Sequence, residues 1–370
     1  MNELEQNSAS TITISLCMIV KNEAATIERC LRSVASATDE IIIVDTGSTD
    51  QTKEIVRQFT DKIYDFPWID DFAAARNFAF SHASQEYILW LDADDVLLPN
   101  DLQKLLLLKQ NADGTVDSYT MNYNVSFDQS GNVISTLGRN RLVKRAKHFQ
   151  WIGPVHECLV VGGKIANMDI SVTHKKEHHD TYDRNLNIYE NRLAKGETFS
   201  PRDLYYYANE LNDHQKYEKA IEYYRKALDT QSCWVEDNIS ICGKLADCYS
   251  VLGDDQNKLN YTYLSFNYDT PRAEFCCRLG YHFLGLKRYQ QAIFWYTLAI
   301  NLQKPQDPLA LLNNSCWTWL PHLQLCVCYD RLGKYELACE HNEIAAGFVP
   351  EHSGILYNRK YFENLFNKTT

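Results

Sequence analysis

The first hundred residues alternate short apolar runs with segments of helical period. Thr13 to Val20 is an apolar, β-rich run, after which Ile27, Cys30, Leu31 and Val34 recur at helical spacing. Ile41 to Val44 is fully apolar, the kind of strand buried on both faces of a parallel sheet. Asp50 to Phe59 reads as a helix, with Ser48, Thr49 and Asp50 as cap candidates. Ile63 to Phe66 predicts a third strand, Phe72 to His82 a helix and Tyr87 to Leu91 a fourth strand. Strands alternating with helices predict an α/β domain with a mostly parallel sheet, whose active loops lie at the carboxyl ends of the strands.

From about Asn111 to Thr173 the pattern is strand-rich, with no helical period, and Gly131, Gly138, Gly153, Gly162 and Gly163 punctuate it. Arg184 to Lys195 then reads as a helix. Beyond Pro201 the chain turns helical and repetitive. Ala208, Tyr217, Ala220, Tyr224 and Ala227 are echoed by Gly280, Tyr289, Ala292, Tyr296 and Ala299, and in part by Tyr335, Ala338 and Ala345. A weaker copy contains Leu245, Ala246, Leu252, Gly253 and Leu259. Small residues let paired helices approach and aromatics fill the gaps, which predicts about four helix pairs of tetratricopeptide-like type.

Composition narrows the class. With 45% hydrophobic and 23% charged residues the chain is an ordinary globular one. A net charge of −11 argues against a broad grip on nucleic acid. Met1 to Ser10 is polar without an apolar signal core, and runs such as Leu105 to Leu108 are too short to span a bilayer, so a cytoplasmic location without a membrane span is expected. The 12 cysteines form no CxxC pair and read as reduced core residues.

Three polar patches follow predicted strands: Lys21-Asn22-Glu23, Asp45-Thr46-Gly47-Ser48-Thr49-Asp50 and Asp92-Ala93-Asp94-Asp95. The last puts three carboxylates into four residues at a strand end. That density of charge is costly unless a cation compensates it, and a divalent metal completed by a diphosphate would do so. The plainer reading is a solvated acidic turn that caps the segment after Pro99. Asp45, at the end of a parallel strand, suits hydrogen bonds from a ribose or base edge, whereas Ser48 and Asp50 suit capping. Neither GxGxxG nor GxxxxGK[ST] is present, which disfavours Rossmann cofactors and P-loop phosphate binding.

Taken together, the runs Ser15 to Glu23, Ile41 to Asp50, Ala75-Arg76-Asn77, Trp90 to Asp95 and Trp151 to Glu157 resemble the family-2 glycosyltransferases, inverting enzymes of the GT-A-type fold. The likeness covers roughly residues 11 to 190. With repeats behind it, the chain is similar to the bacterial subgroup that contains peptide S-glycosyltransferases of glycosylated bacteriocins. The resemblance implies a GT-A-type nucleotide-sugar-binding domain over residues 11–198 and an all-α tetratricopeptide-like repeat domain over 199–370. It also implies a UDP-sugar donor and Mn2+ or Mg2+.

By the same resemblance Val20, Asn22, Glu23 and Asp45 would bind base and ribose, and Arg76 would lie near the nucleotide. Asp92-Ala93-Asp94 would be the DxD motif, with Asp92 facing the ribose and Asp94 holding the metal. His174 is the candidate second metal ligand, with His178 and His179 beside it; a polar loop is the plainer role for all three. An inverting displacement needs a base for the acceptor. Glu157 is the first candidate and Asp95 its rival, and Glu157 could instead pair with an Arg or with His156. Trp151 and His156 are candidate acceptor contacts, although Trp151 could equally be core. Arg139, Arg141, Lys144, Arg145 and Lys147 form a basic cluster that faces a diphosphate, an acidic acceptor or solvent. The repeats are expected to hold a polypeptide acceptor or to pair with a second copy of the chain. The favoured reading is transfer to a Cys, Ser or Thr side chain. A cell-surface glycan or lipid-linked acceptor, or a repeat scaffold with a decayed catalytic domain, are the alternatives.

Overall fold

In a computed structural model, residues 11–112, 114–127, 133–175, 183–305 and 312–367 are described. They divide into two compact units at Gly196/Glu197.

The first unit is built on an eight-stranded sheet. In chain order it runs β1 (Ile14–Val20), α1 (Ile27–Val34), β2 (Glu40–Asp45), α2 (Thr52–Val56), β3 (Ile63–Asp65), α3 (Phe72–Ser81), β4 (Tyr87–Trp90), β5 (Asp95–Leu97) and α4 (Pro99–Asn111). Then follow β6 (Ser118–Phe127), β7 (Val133–Lys144), β8 (Gln150–Ile152), β9 (Cys158–Val160), β10 (Ile165–His174) and α5 (Arg184–Ala194). The strand order is β3-β2-β1-β4-β7-β6-β10-β5, with β8 and β9 forming a separate ribbon. The pairs β3–β2, β2–β1, β1–β4 and β6–β10 are parallel; β7 and β5 enter antiparallel.

Alternation along β1 explains how both sheet faces are covered. Leu16, Met18 and Val20 pack with Ile27, Leu31 and Leu105 on one face. Cys17 packs with Ile42, Val44, Ala79, Trp90 and Trp151 on the other. The register sets Val20 against Asp45 and Cys17 against Trp90, so the carboxyl ends of β1, β2 and β4 open on one edge. The helix expected over Asp50 to Phe59 contracts to α2. The reason is local: the Asp50 carboxylate accepts from the Thr52 amide at 3.0 Å and the Ala24 amide at 3.1 Å, tying two loops together. The acidic turn does not cap α4, whose N-cap is Leu98 and whose first turn opens on Pro99.

The second unit is helical. It comprises α6 (Pro201–Asp213), α7 (Tyr217–Asp229), α8 (Val235–Val251), α9 (Asp255–Leu264), α10 (Ala273–Gly285), α11 (Tyr289–Asn301), α12 (Trp319–Arg331), α13 (Tyr335–Ala346) and α14 (Ser353–Asn367). Successive helices pack as four pairs, and α14 packs on the last of them. The small residues of the repeat are fully buried at matching places: Ala220 and Ala227 in α7, Ala292 and Ala299 in α11, Ala338 and Ala345 in α13. Gly280 marks the closest approach, because a Cβ there would lie 2.6 Å from the ring of Tyr296. That ring is itself buried and has nowhere to retreat. Gly280→Ala is therefore expected to destabilise this unit by about 1–3 kcal/mol, read as an earlier thermal transition by calorimetry.

All 12 cysteines are free thiols, most of them buried. Among the described residues no helix is long and apolar enough to cross a membrane.

Candidate functional site

The loops after β1 and β2 are locked to each other. Asn22, at φ 56°, accepts from the Thr49 amide at 2.7 Å and donates its own amide to Ser48 Oγ at 2.9 Å. Asp45 is buried, and one of its oxygens accepts from the amides of Gly47 and Ser48 at 3.1 and 3.0 Å. Its other oxygen has no hydrogen-bond partner among the described residues. Burial would raise the Asp45 carboxyl, but hydrogen bonds from Ser48 and Gly47 and the charge of Lys53 outweigh it and hold it below the ordinary range. Gly47, at φ 103°, takes a backbone shape that side chains resist.

A cleft of about 400 Å³ opens beside these loops. Of the residues expected at the site, Val20, Glu23, Arg76, Asp92, Ala93, Asp94, Trp151, His156, Glu157 and His174 all line it. Asn22 and Asp45 do not; they shape the loops behind the wall.

At one end of the cleft Asp94, Asp95 and His174 each bring a ligand atom within 4.8 Å of the others. β5 and β10 create this meeting by pairing Asp95 with His174 in register. His174 Nδ1 lies 3.5 Å from Asp94 and 3.7 Å from Asp95, and 2.9 Å from the Tyr123 hydroxyl. Hydrogen bonding to Asp94, then to Asp95, lifts His174 to about 9 against the effect of its burial. Two carboxylates and an imidazole, with the buried Asp95 Oδ1 turned toward His174, form a donor set that fits a hard or borderline divalent cation. His178 and His179 lie outside the described residues.

Asp95 itself is fully buried. One of its oxygens is 3.0 Å from Arg141 and accepts from the Asp92 amide at 3.1 Å. It has no route to an acceptor, so the rival assignment of Asp95 as base is withdrawn; it braces the turn. The basic cluster separates in the same way. Arg141 is buried and stacks on the rings of Trp90, at 3.9 Å, and Tyr123, at 4.6 Å. Arg139 and Arg141 line the cleft, while Lys144 and Arg145 are turned to the backbone carbonyls of Gly114 and Gln85. Lys147 pairs with Asp117 at 3.2 Å. Tyr123, which also lines the cleft, is a residue that sequence reasoning did not single out, and it did not foresee that Arg141 is buried.

On the same acidic turn, Asp92 accepts from Arg76, which also donates to Glu157, each at 2.6 Å. Burial would raise Asp92, but Arg76 and then Arg141 outweigh it and hold it low. Trp151 is buried against Trp90 and Phe80 while still presenting itself to the cleft, so it is core and wall together.

Residues 15–166 match the family described as Glycosyl transferase family 2, and residues 207–232 and 273–305 match the Tetratricopeptide repeat. A TPR repeat-containing protein of Synechococcus elongatus is 29% identical over 335 residues, covering 87% of this chain and 74% of that one. The SPbeta prophage-derived glycosyltransferase SunS of Bacillus subtilis is 26% identical over 285 residues, 72% of this chain but only 64% of SunS. Among solved structures, glucosyl-3-phosphoglycerate synthase from Mycobacterium tuberculosis aligns with a TM-score of 0.34 at 15% identity, covering 51% of this chain and 81% of that one.

Proposed function

Since the chain joins a family-2 glycosyltransferase domain to tetratricopeptide repeats, we propose that it is an inverting, metal-dependent hexosyltransferase that moves a sugar from a UDP-sugar to a Cys, Ser or Thr side chain of a polypeptide. One observation carries the reading: a single cleft is lined by Asp94 and His174, which with Asp95 form the candidate metal cluster, and by the Arg76-paired Glu157. In this reading Val20 and Glu23 form the nucleoside side, Asn22 and Asp45 hold its loops in shape, and Asp92 accepts from the ribose. Glu157 takes the acceptor proton as the acceptor atom attacks the anomeric carbon, and the nucleoside diphosphate leaves from the opposite face of the sugar. Mn2+ or Mg2+ held by Asp94 and His174, with Asp95 behind them, would neutralise charge on the departing diphosphate. Trp151 and His156, which line the same cleft, would contact the acceptor. The repeats supply a surface for the acceptor polypeptide or for a second copy of the chain.

The experiment is UDP release from a panel of UDP-sugars, with Mn2+ and with chelator, alone and with Cys-, Ser- or Thr-containing peptides. Metal-dependent release from one donor, accelerated by one peptide, supports the reading and identifies both substrates. Release from no donor would end it.

A further inference from the structure

We propose that Arg76 is a positioning residue that ties the acceptor side of the cleft to its donor side, and not a contact to the nucleotide; this rests on the glycosyltransferase reading with Glu157 as base. Helix α3 makes three independent ties to the segment 151–157. Asn77 exchanges two hydrogen bonds with the Trp151 backbone, each 2.9 Å. The Phe72 amide donates to the Pro154 carbonyl at 2.9 Å. Arg76 Nε donates to Glu157 at 2.6 Å, while its Nη2 reaches Asp92 at 2.6 Å.

The segment needs such support. Gly153 turns the chain at φ 89°, as glycine does readily, whereas His156 at φ 50° is held in the left-handed region that side chains disfavour. The Arg76 guanidinium lies against both of the perpendicular rings of Trp151, at 4.8 Å, and Trp90, at 5.1 Å, and is 8% exposed. A buried planar fork, bonded to a carboxylate through each of two nitrogens and lying against two indoles, has little freedom to turn, so it fixes the spacing of the two carboxylates it bridges. Both strong contacts go to carboxylates of the protein. Removing Arg76 would therefore loosen Glu157 relative to the donor, which costs rate, and would leave donor affinity nearly intact.

The test is steady-state hydrolysis of the preferred UDP-sugar with Mn2+, for Arg76→Met, Arg76→Lys, Glu157→Gln and the double variant Arg76→Met/Glu157→Gln. Expected is a kcat lower by about 100-fold for Arg76→Met and by about 10-fold for Arg76→Lys, with the donor KM within about 3-fold of wild type. The double variant should lie within about 3-fold of the slower single one, because both act on one group. If Arg76→Met fails to fold, Arg76→Lys and Glu157→Gln carry the same comparison. A raised KM with kcat retained would make Arg76 a nucleotide contact, and losses that multiply in the double variant would break the coupling; either overturns the proposal. No turnover by the wild type would instead remove the glycosyltransferase reading, and the coupling with it.

Discussion

Asp94→Ala is expected to lower metal-dependent UDP release by about 1,000-fold while leaving the first unit folded. The expectation follows from how the three acidic residues of the turn are divided. Asp95 is fully buried and faces Arg141. Asp92 is bound by Arg76. Among the described residues Asp94 pairs with no arginine; its partner is His174 Nδ1, 3.5 Å away, and it lines the cleft. It is thus the carboxylate best able to meet a cation shared with a diphosphate. Its backbone is held independently by the Lys175 amide, which donates to the Asp94 carbonyl at 2.8 Å, so the turn should survive loss of the side chain. Stability should fall by about 1 kcal/mol, since His174 loses its first partner while like charge in the acidic turn is relieved. The measurement is UDP release with Mn2+ and with chelator, beside a thermal melt. A variant that turns over at the wild-type rate and still requires metal would move the metal away from Asp94.

The parallel half of the sheet was readable because its strands are short apolar runs that stop at polar loops. Ile41 to Val44 ends at Asp45, and Tyr87 to Leu91 ends at Asp92, which also places the candidate carboxylates on one edge. The repeats were readable because Ala220, Ala292 and Ala338 recur where helices touch. The antiparallel insertion was not. Between Asn111 and Thr173 the pattern names strands but not partners, and only the folded register brings β7 beside β4 and β5 beside β10. Arg141 was hidden for a related reason. Among Arg139, Lys144, Arg145 and Lys147 it looks like surface charge, and its burial follows from lying between Trp90 and Tyr123, residues about 50 and 20 positions away by the register of adjacent strands. A usable signal was present all the same. Leu142 and Val143 follow it directly in a strand, and an arginine beside such a run has a partner to find. Asp95 stood as the rival to Glu157 because chain proximity to Asp92 and Asp94 says nothing about which of three carboxylates turns inward.

Arg141→Met is the variant expected to cost the most stability. Arg141 and Asp95 are both fully buried, 3.0 Å apart, and the methionine would leave Asp95 charged without its cation. Breaking one side of a buried pair costs about 3–5 kcal/mol, which for a unit of this size lowers the transition temperature by about 10 °C. The aliphatic stem still fits between Trp90 and Tyr123, so the loss is electrostatic more than steric. That origin makes a second prediction from the same pair. In Arg141→Met/Asp95→Asn neither side chain is ionised, and most of the lost stability should return, because the cost lay in the orphaned charge and not in the absence of the bridge. Activity should not return with it. Asp95 accepts from the Asp92 amide at 3.1 Å and faces His174 at 3.7 Å, so the double variant restores a folded unit whose acidic turn and imidazole are no longer held by a full charge. Calorimetry of both variants, beside UDP release, separates the two effects. A double variant that melts as early as Arg141→Met would mean that Arg141 acts by filling space between the rings. A double variant with full turnover would mean that Asp95 braces the fold and leaves His174 and Asp92 to place themselves.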